Sequence, residues 1–368
     1  MKSGWKSRTI SDKALQARRG VATGADSAAD TKSYFDLTES LADHRADADD
    51  ALLLTAMFDG DDDISVEQIN TQPFDFRTDE DVFAWVAAVL GKSPSARLIA
   101  KAILKEDWAI VTESLHNNGY HIDTDNHIIT LDNYAMTATS LGHSAFFRND
   151  LLLNMVRAMR DLWHENRFAA TALEFGAEEV LLLERVRAAD CDTFAVLVAW
   201  ELRGEGFSDI WRHIIGTEEG DMALAFSHYL ERDPRALFDG RALAQAFRVW
   251  HEDDQRVDAC DHETLEMLDD LILSRDGESP FGDSVLTKDR IEDLSRLPGG
   301  VIYLEGLGGR IRRDPYFAGL NDPINQAHLF QIIYDLKVTR VNDVPFRNRD
   351  LAQKIFPHGE MRENWSDV

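Results

Sequence analysis

The sequence predicts an α+β protein that is mainly α-helical and contains one small β-hairpin or sheet. Apolar residues recur at three- and four-residue steps through most of the chain after about residue 75, as in amphipathic helices. One stretch, residues 121–131, alternates apolar and polar residues around a tight turn, which is typical of a hairpin. The chain has 368 residues and 44% apolar content, which is enough to bury a large core.

The composition limits the classes of partner. The net charge is −27, from 66 acidic and 39 basic residues, and it repels phosphate backbones, so we expect no nucleic-acid partner. No run approaches the roughly 20 apolar residues that span a bilayer, so we expect no membrane partner. The two cysteines, Cys191 and Cys260, form no CxxC pair and have no zinc-site spacing. Two reduced, buried thiols in a cytoplasmic protein are the expectation.

Residues 1–66 are predicted to be an acidic, disordered N-terminal region. Small residues and aspartates dominate it, and three consecutive aspartates occupy positions 61–63. Such a segment cannot bury enough apolar surface to fold by itself. Within it, residues 52–57 are apolar enough to suggest a short helix. We expect limited proteolysis to remove this region and leave a stable fragment.

Ordered structure is expected from about residue 75. Residues 79–90 predict a helix capped by Thr78, and residues 95–104 and 108–117 predict two more. The hairpin follows at residues 121–131, with its turn at residues 123–126.

The segment 149–206 carries the strongest signals, and its first half predicts a helix over residues 150–167. Asn149 or Asp150 stands where an N-cap belongs. At about 100° per residue, Arg157, Asp161 and His164 share the face opposite the apolar stripe.

The second half of this segment, residues 180–202, is apolar nearly all round, as in a helix buried by its neighbours. Nevertheless it contains Arg185, Arg187, Asp190 and Asp192. An ionised carboxylate in such a helix is costly unless a cation or hydrogen-bond donors meet it.

The rest of the chain reads as helices over residues 207–215, 221–231, 240–252, 263–274, 288–297, 326–336 and 348–355. Residues 301–304 suggest an isolated strand. The glycine-rich residues 305–310 read as a turn, because they match neither dinucleotide nor P-loop spacing.

No catalytic motif is intact. The tripeptide Trp-His-Glu occurs at 163–165 and 250–252, but the residue four places after each histidine is Phe168 or Gln255. HExxH zinc proteases need two histidines one helical turn apart. There is no GxSxG serine motif. Cys191 lies in the most apolar helix, where a thiol is usually inert.

The order of hairpin, polar-faced helix and R-A-A-D-C-D helix resembles a bacterial family of putative metallopeptidases of the zincin type, a domain of unknown function. The residues that carry the resemblance are RAMRDLWH at 157–164 and AADC at 188–191. The resemblance implies a zincin-like helical core over residues 67–232. It leaves residues 233–368 as a helical C-terminal region packed on that core.

The resemblance also implies that the metal site is degenerate. Arg160 and Trp163 match the arginine and the tryptophan of the family motif. Arg157 and Asp161 stand in place of two metal-binding histidines, and Ala158 replaces the general-base glutamate. Ala188 stands where the family has an acidic third ligand, while the following aspartate is kept as Asp190. Arginine cannot ligate zinc, and alanine cannot activate a zinc-bound water.

Three functional hypotheses follow. The first is a family member without zinc that acts in binding or regulation, with a protein or peptide partner. The second is an active metal-dependent hydrolase that uses Asp161, His164, Glu165 and Asp190, with zinc as its cofactor. The third is an acidic structural protein without a site.

The hypotheses differ in the surroundings they expect. The first two expect a concave pocket lined by Arg157, Asp161 and His164, whereas the third expects these side chains to face water. The resemblance sets the two central helices side by side. We therefore expect Asp190 to be buried and paired with Arg157 or Arg160 in place of a metal.

Overall fold

The computed structural model describes residues 74–103, 108–116, 119–168, 174–273 and 281–336, with short pieces at 8–9, 52–53, 339–341, 344–346, 353–355, 357 and 361–363. The prediction of a disordered region over 1–66 lies outside these residues, except for two short strands. The helix expected over 348–355 also lies mostly outside them.

Two helices begin the described core. α1 (Asp79–Leu90) starts at the predicted Thr78 cap, whose side chain accepts from the Asp81 amide while Asp81 caps the Thr78 amide in return. α2 (Pro94–Ile103) follows after a sharp bend. Within the described part of the chain, no single helix is long and apolar enough to cross a membrane. α1 and α2, bent by 120°, meet that criterion only as a pair.

The main sheet has five strands. Its centre is formed by β3 (Ala109–Glu113), β4 (Tyr120–Asp123) and β5 (Ile128–Asp132). β4 and β5 form the predicted antiparallel hairpin. The two-residue strands β1 (Arg8–Thr9) and β2 (Leu52–Leu53) lie at the edges, so the strand order is β1-β4-β5-β3-β2. The short helix suggested over 52–57 is therefore wrong at its first two residues.

The helix predicted over residues 108–117 is also wrong, because this segment is strand β3. Ile110, Val111 and Thr112 are β-branched and suit a strand. β3 pairs in parallel with β5, with Ala109 opposite Ile128. This partner lies downstream of the intervening strand β4, so the local sequence pattern does not reveal it.

Three helices carry the chain through the centre of the molecule. They are α3 (Ala138–His143), α4 (Ala145–Phe168) and α5 (Ala177–Gly204). α4 begins at Ala145, so the predicted N-cap at Asn149 or Asp150 is wrong. Asn149 is buried, and Asp150 accepts a hydrogen bond from the Tyr134 hydroxyl at 2.5 Å.

The remaining described elements are mostly helical. They are α6 (Ser208–Ile215), α7 (Gly220–Arg232), a 3-10 turn (Pro234–Leu237), α8 (Arg241–Trp250), α9 (Asp254–Leu273), α10 (Lys288–Leu294), α11 (Gly308–Ile311), α12 (Pro315–Ala318) and α13 (Pro323–Leu336). α9 starts nine residues before the predicted 263. Residues 301–304 contain a single bridge, from Ile302 to Arg296, rather than a strand.

A second small sheet lies near the C-terminus, where the sequence predicted none. It consists of β6 (Thr339–Val341), β7 (Val344–Phe346) and β8 (Met361–Glu363), in the order β7-β6-β8. The predicted class, a mainly helical α+β protein with a small sheet, is nevertheless confirmed.

α4 and α5 pack along each other at the middle of the core. Helices α6, α7, α8, α9 and α10 cover α5, while α2 and strands β4 and β5 cover α4. Both helices are therefore buried on nearly every side, including their polar positions.

Candidate functional site

Buried charges between α4 and α5 form the candidate site. On α4, Arg157, Arg160, Asp161 and His164 recur at three- and four-residue steps, so they project from neighbouring parts of one helical face. On α5 their partners are Arg187, Asp190 and Asp192, in reverse order along the chain. The two helices are therefore antiparallel, and their charges pair in three layers.

Asp190 is the centre of the middle layer. Arg160 donates from Nε and Nη2 to its two carboxylate oxygens, at 2.5 and 3.0 Å. His164 Nε2 lies 2.7 Å from Oδ2, and the Tyr303 hydroxyl donates to Oδ1 at 2.6 Å. The side chains of Arg160, His164 and Asp190 are all 0% exposed. The carboxylate therefore has donors on both oxygens and no contact with solvent.

The protonation states in this layer follow from its geometry. Burial alone would raise the pKa of Asp190, but the charge of Arg160 and the hydrogen bonds from His164 and Arg160 hold it well below its usual range. Burial lowers the pKa of His164 to about 4, although Asp190 acts to raise it. At neutral pH the layer is an aspartate–arginine pair with a neutral histidine.

The neutral state fixes the His164 tautomer. Because the ionised Asp190 can only accept, His164 must carry its proton on Nε2 and donate it. Its Nδ1 then has a lone pair, and this buried atom has no hydrogen-bond partner among the described residues. The rest of the layer is satisfied, since Arg160 also donates to the backbone carbonyl oxygens of Leu294 and Arg296.

The first layer joins Arg157 to Asp192, from Nε to Oδ1 at 2.7 Å. Arg157 also donates to Asn154 Oδ1 at 2.9 Å and to Glu219 Oε1 at 2.5 Å. The indole of Trp250 donates to the other oxygen of Asp192 at 2.9 Å. Of the two arginines expected to pair with the buried Asp190, Arg160 does so. Arg157 does not, because Asp192 lies opposite Arg157 in the antiparallel register.

The third layer reverses the charges of the helices. Arg187 on α5 donates from Nη2 to Asp161 Oδ1 at 2.9 Å and to Glu165 Oε1 at 2.8 Å, both on α4. Glu184 lies 3.6 Å from the same guanidinium. Asp161 and Glu165 are thus held by an arginine one layer away from Asp190.

The sequence grouped Arg157, Asp161, His164, Glu165 and Asp190 as one degenerate site. All five lie at the α4–α5 interface, but in three separate layers. The structural-protein hypothesis expected Arg157, Asp161 and His164 to face water, but all three are buried. Nor do they line either of the two surface cavities described for this chain. Their mutual contacts fill the space between the helices.

Sequence reasoning missed several members of the cluster. Glu219 lies just before α7, and Trp250 ends α8. Tyr303 lies in the stretch that was taken for a strand. No spacing rule links these residues to α4, and only the buried carboxylates on α5 signalled that further donors were needed.

A second polar cluster lies at the start of α4. The Tyr134 hydroxyl donates to Asp150, accepts from Asn154 Nδ2 at 3.0 Å, and His213 Nε2 lies 3.4 Å from the other oxygen of Asp150. Tyr134 and Ala135 both have positive φ, at 57° and 56°. Non-glycine residues in the left-handed region of backbone conformation are strained, and here two of them are consecutive. The hydrogen bond from Tyr134 to Asp150 therefore starts from a strained turn.

A zinc ion does not fit this donor set. Asp190 is engaged by a guanidinium on both oxygens, and a cation there would face the charge of Arg160 directly. Asp161 and Glu165 are bound to Arg187. Across the described residues, no group of three or more His, Cys, Asp or Glu side chains is arranged to hold a metal ion.

A family profile described as "Putative metallopeptidase family" matches residues 80–304. No curated protein and no solved structure matches the chain. The matched region runs from the second residue of α1 to the residue after Tyr303, so it includes all three charge layers. Because the match covers more than half of its length, the chain belongs to the putative metallopeptidase family.

Proposed function

We propose that this family member does not hydrolyse peptides with a metal at the α4–α5 cluster, and that it acts in binding or regulation. The observation that carries the proposal is the fully buried Asp190, bound by Arg160, His164 and Tyr303. A metalloenzyme needs an open coordination position for its substrate or water. Here every oxygen of the central carboxylate is used by protein donors.

Arg160 supplies a fixed positive charge to Asp190, as a metal ion would. A guanidinium has five N–H donors and no open coordination position, so it stabilises the carboxylate but offers no Lewis acidity. Ala158, which stands in the place of the general base, is also fully buried on the same helix. The cluster is therefore suited to holding α4 and α5 in one register.

The rival function is an active metal-dependent hydrolase built from Asp161, His164, Glu165 and Asp190. One feature favours it, the unpartnered Nδ1 of His164, since a neutral histidine oriented by a carboxylate is a common ligand or base. The positions of Asp161 and Glu165 weigh against it, because Arg187 binds both in another layer.

A hydrolysis assay separates the two. The purified full chain is incubated with fluorescein-labelled casein and an excess of zinc, beside the variants Glu165→Gln and Asp190→Asn. We expect all three to leave casein intact, because none can form the site. Zinc-dependent cleavage by the wild type that disappears in Glu165→Gln would overturn the proposal.

A cytoplasmic location and a protein or peptide partner complete the proposal. Cys191 and Cys260 are both buried and neither is in a disulfide, which suits a reducing compartment. The charge of −27 disfavours anionic polymers as partners. Fractionation of the source cells should place the protein in the soluble fraction with both thiols reduced. Recovery from an oxidising compartment would contradict the location.

A further inference from the structure

The outer face of α13 exposes apolar side chains. Ile324 and Phe330 are 73% and 64% exposed, and Ala327, three residues from each, is exposed between them. The opposite face packs on the core, where the buried Asn325 side chain donates to the carbonyl oxygen of Asp258 on α9 at 2.9 Å. The apolar residues therefore lie on a helix that is fixed from within, and they still present most of their surface to solvent.

α9 packs beside α13 and is strongly acidic. Seven of its 20 residues are aspartate or glutamate, and Arg256 is its only arginine or lysine. Arg256 is buried and already pairs with Asp221 at 3.1 Å, so it is not available to the exposed carboxylates further along the helix. The helix is therefore more acidic than the chain as a whole, which has 66 acidic and 39 basic residues.

The accessible carboxylates in the C-terminal half of α9 border α13. His328 on α13 lies 2.5 Å from Asp269, and His262 lies 3.3 Å from Glu266. Among the residues that the structure describes, no arginine or lysine pairs with Glu266, Asp269 or Asp270. Burial first, and then the charges of Asp269 and Glu266, raise the pKa of Asp270. These carboxylates therefore repel one another, and a cation from a ligand would relieve that repulsion.

The combination of an apolar stripe and unneutralised carboxylates indicates the chemistry of the ligand. An amphipathic helix binds such a face when its apolar side packs on the stripe and its lysines or arginines meet the acids. A second copy of this chain is a poor fit, because a symmetric pair would bring the same carboxylates together. Nucleic acid and anionic lipid are repelled for the same reason.

We propose that the face formed by α9 and α13 binds a basic amphipathic helix of a partner protein. The apolar side of that helix packs on Ile324, Ala327 and Phe330. Its basic residues pair with Glu266 and Asp270. This inference rests on the proposed binding role and gives it a surface, which lies outside the buried charge layers between α4 and α5.

Fluorescence anisotropy tests the proposal with the full chain. The probe is a fluorescein-labelled synthetic helical peptide with leucines at three- and four-residue steps and lysines elsewhere. We expect saturable binding that weakens as salt screens the charges. Ile324→Ser/Phe330→Ser should bind about tenfold or more weakly, because two large apolar contacts disappear. Glu266→Gln/Asp270→Asn should bind roughly threefold more weakly at low salt and show less salt dependence.

Matched control variants separate this face from general attraction to an acidic protein. Leu98→Ser/Phe238→Ser removes two apolar side chains that are 46% and 79% exposed on other elements. Asp75→Asn/Asp289→Asn removes two acids that are 74% and 82% exposed elsewhere. Both controls should bind the probe like the wild type. Circular dichroism checks that every variant is folded.

Several results would overturn the proposal. These are absence of saturable binding, equal losses of affinity in the controls and in the face variants, or unchanged binding when serines replace the leucines of the probe. A wild-type dimer that Ile324→Ser/Phe330→Ser makes monomeric would show that a second copy covers the face instead. Zinc-dependent casein cleavage would refute the proposed function without changing peptide binding, so the two failures are distinguishable.

Discussion

Asp190 shows how one residue determines the character of the cluster. Its carboxylate accepts hydrogen bonds from Arg160, His164 and Tyr303, and no solvent reaches it. Removing one side of a buried pair leaves the other side charged and unpaired, which costs more than the pair itself contributes. Replacing both sides with apolar groups avoids that cost.

We therefore expect Asp190→Ala to lower the free energy of unfolding by about 3–5 kcal/mol. The double variant Arg160→Met/Asp190→Leu should lose much less, because no buried charge remains unpaired. Urea unfolding followed by circular dichroism measures both. A neutral Asp190→Ala would mean that the pair does not hold the core together.

The backbone of Ala135 is strained, and glycine at this position should relieve the strain. Ala135 has φ of 56° in a tight turn, where glycine is favoured. Ala135→Gly should raise the free energy of unfolding by about 0.5–1 kcal/mol, the strain relieved less the added chain entropy. Ala225→Gly, within α7, is the matched control and should be destabilising by about 1 kcal/mol. Equal destabilisation by both changes would show that the turn is unstrained.

At the scale of elements, the helices with clear caps and periodicity were predictable. The Thr78 cap and the hairpin are local features, and both were predicted correctly from the sequence. Strand β3 was mistaken for a helix because its parallel pairing with β5 is not a local feature. The need for an arginine opposite Asp190 was predictable from the cost of burial. Asp190 pairs with Arg160 and not with Arg157 because of the register in which α4 packs against α5. That register depends on side-chain packing between the two helices, which the sequence does not reveal.

The loop before α8 is coupled to the charge cluster through Tyr303. Gly240 has φ of 78°, and a Cβ there would lie 2.5 Å from the Cβ of Tyr303. Gly240→Ala should therefore displace Tyr303 from Asp190 and lower stability by about 2 kcal/mol or more. Gly299→Ala is the control, since a Cβ at Gly299 meets no atom within 4 Å. Urea unfolding of both variants measures the difference, and similar stabilities would refute the coupling.

At the scale of the whole molecule, buried histidines determine how stability depends on pH. Burial lowers the pKa of His164 to about 4 and that of His251 to about 3. Both rings stay neutral in the folded protein but bind protons in the unfolded chain below about pH 6.5. Their contribution to stability is complete above that pH and is lost as the pH falls towards 4.

The buried carboxyl of Asp261 changes stability with pH in the opposite direction to the two histidines. Burial raises the pKa of Asp261 to about 6, although Arg185 acts to lower it, so Asp261 favours the folded state as the pH falls below 6. The pKa values of Asp258 and Asp270 are raised as well, so these two carboxyls act in the same direction as Asp261. We therefore expect the protein to lose stability between pH 6 and 4, with a slope smaller than the ~2.7 kcal/mol per pH unit that two histidines alone would give. Chemical denaturation at each pH measures it. His251→Gln should flatten the slope, and an unchanged slope would show that His251 is not responsible.

The zinc content of the purified full chain shows whether the α4–α5 cluster holds a metal ion. The protein is purified without chelators, dialysed against metal-free buffer, and its zinc is measured by mass spectrometry per mole of chain. Because Arg160 occupies both oxygens of Asp190, we expect zinc far below one ion per chain and no heat of tight zinc binding in calorimetry. One tightly held zinc per chain that Asp190→Asn releases would mean that Asp190 binds a metal and not only Arg160.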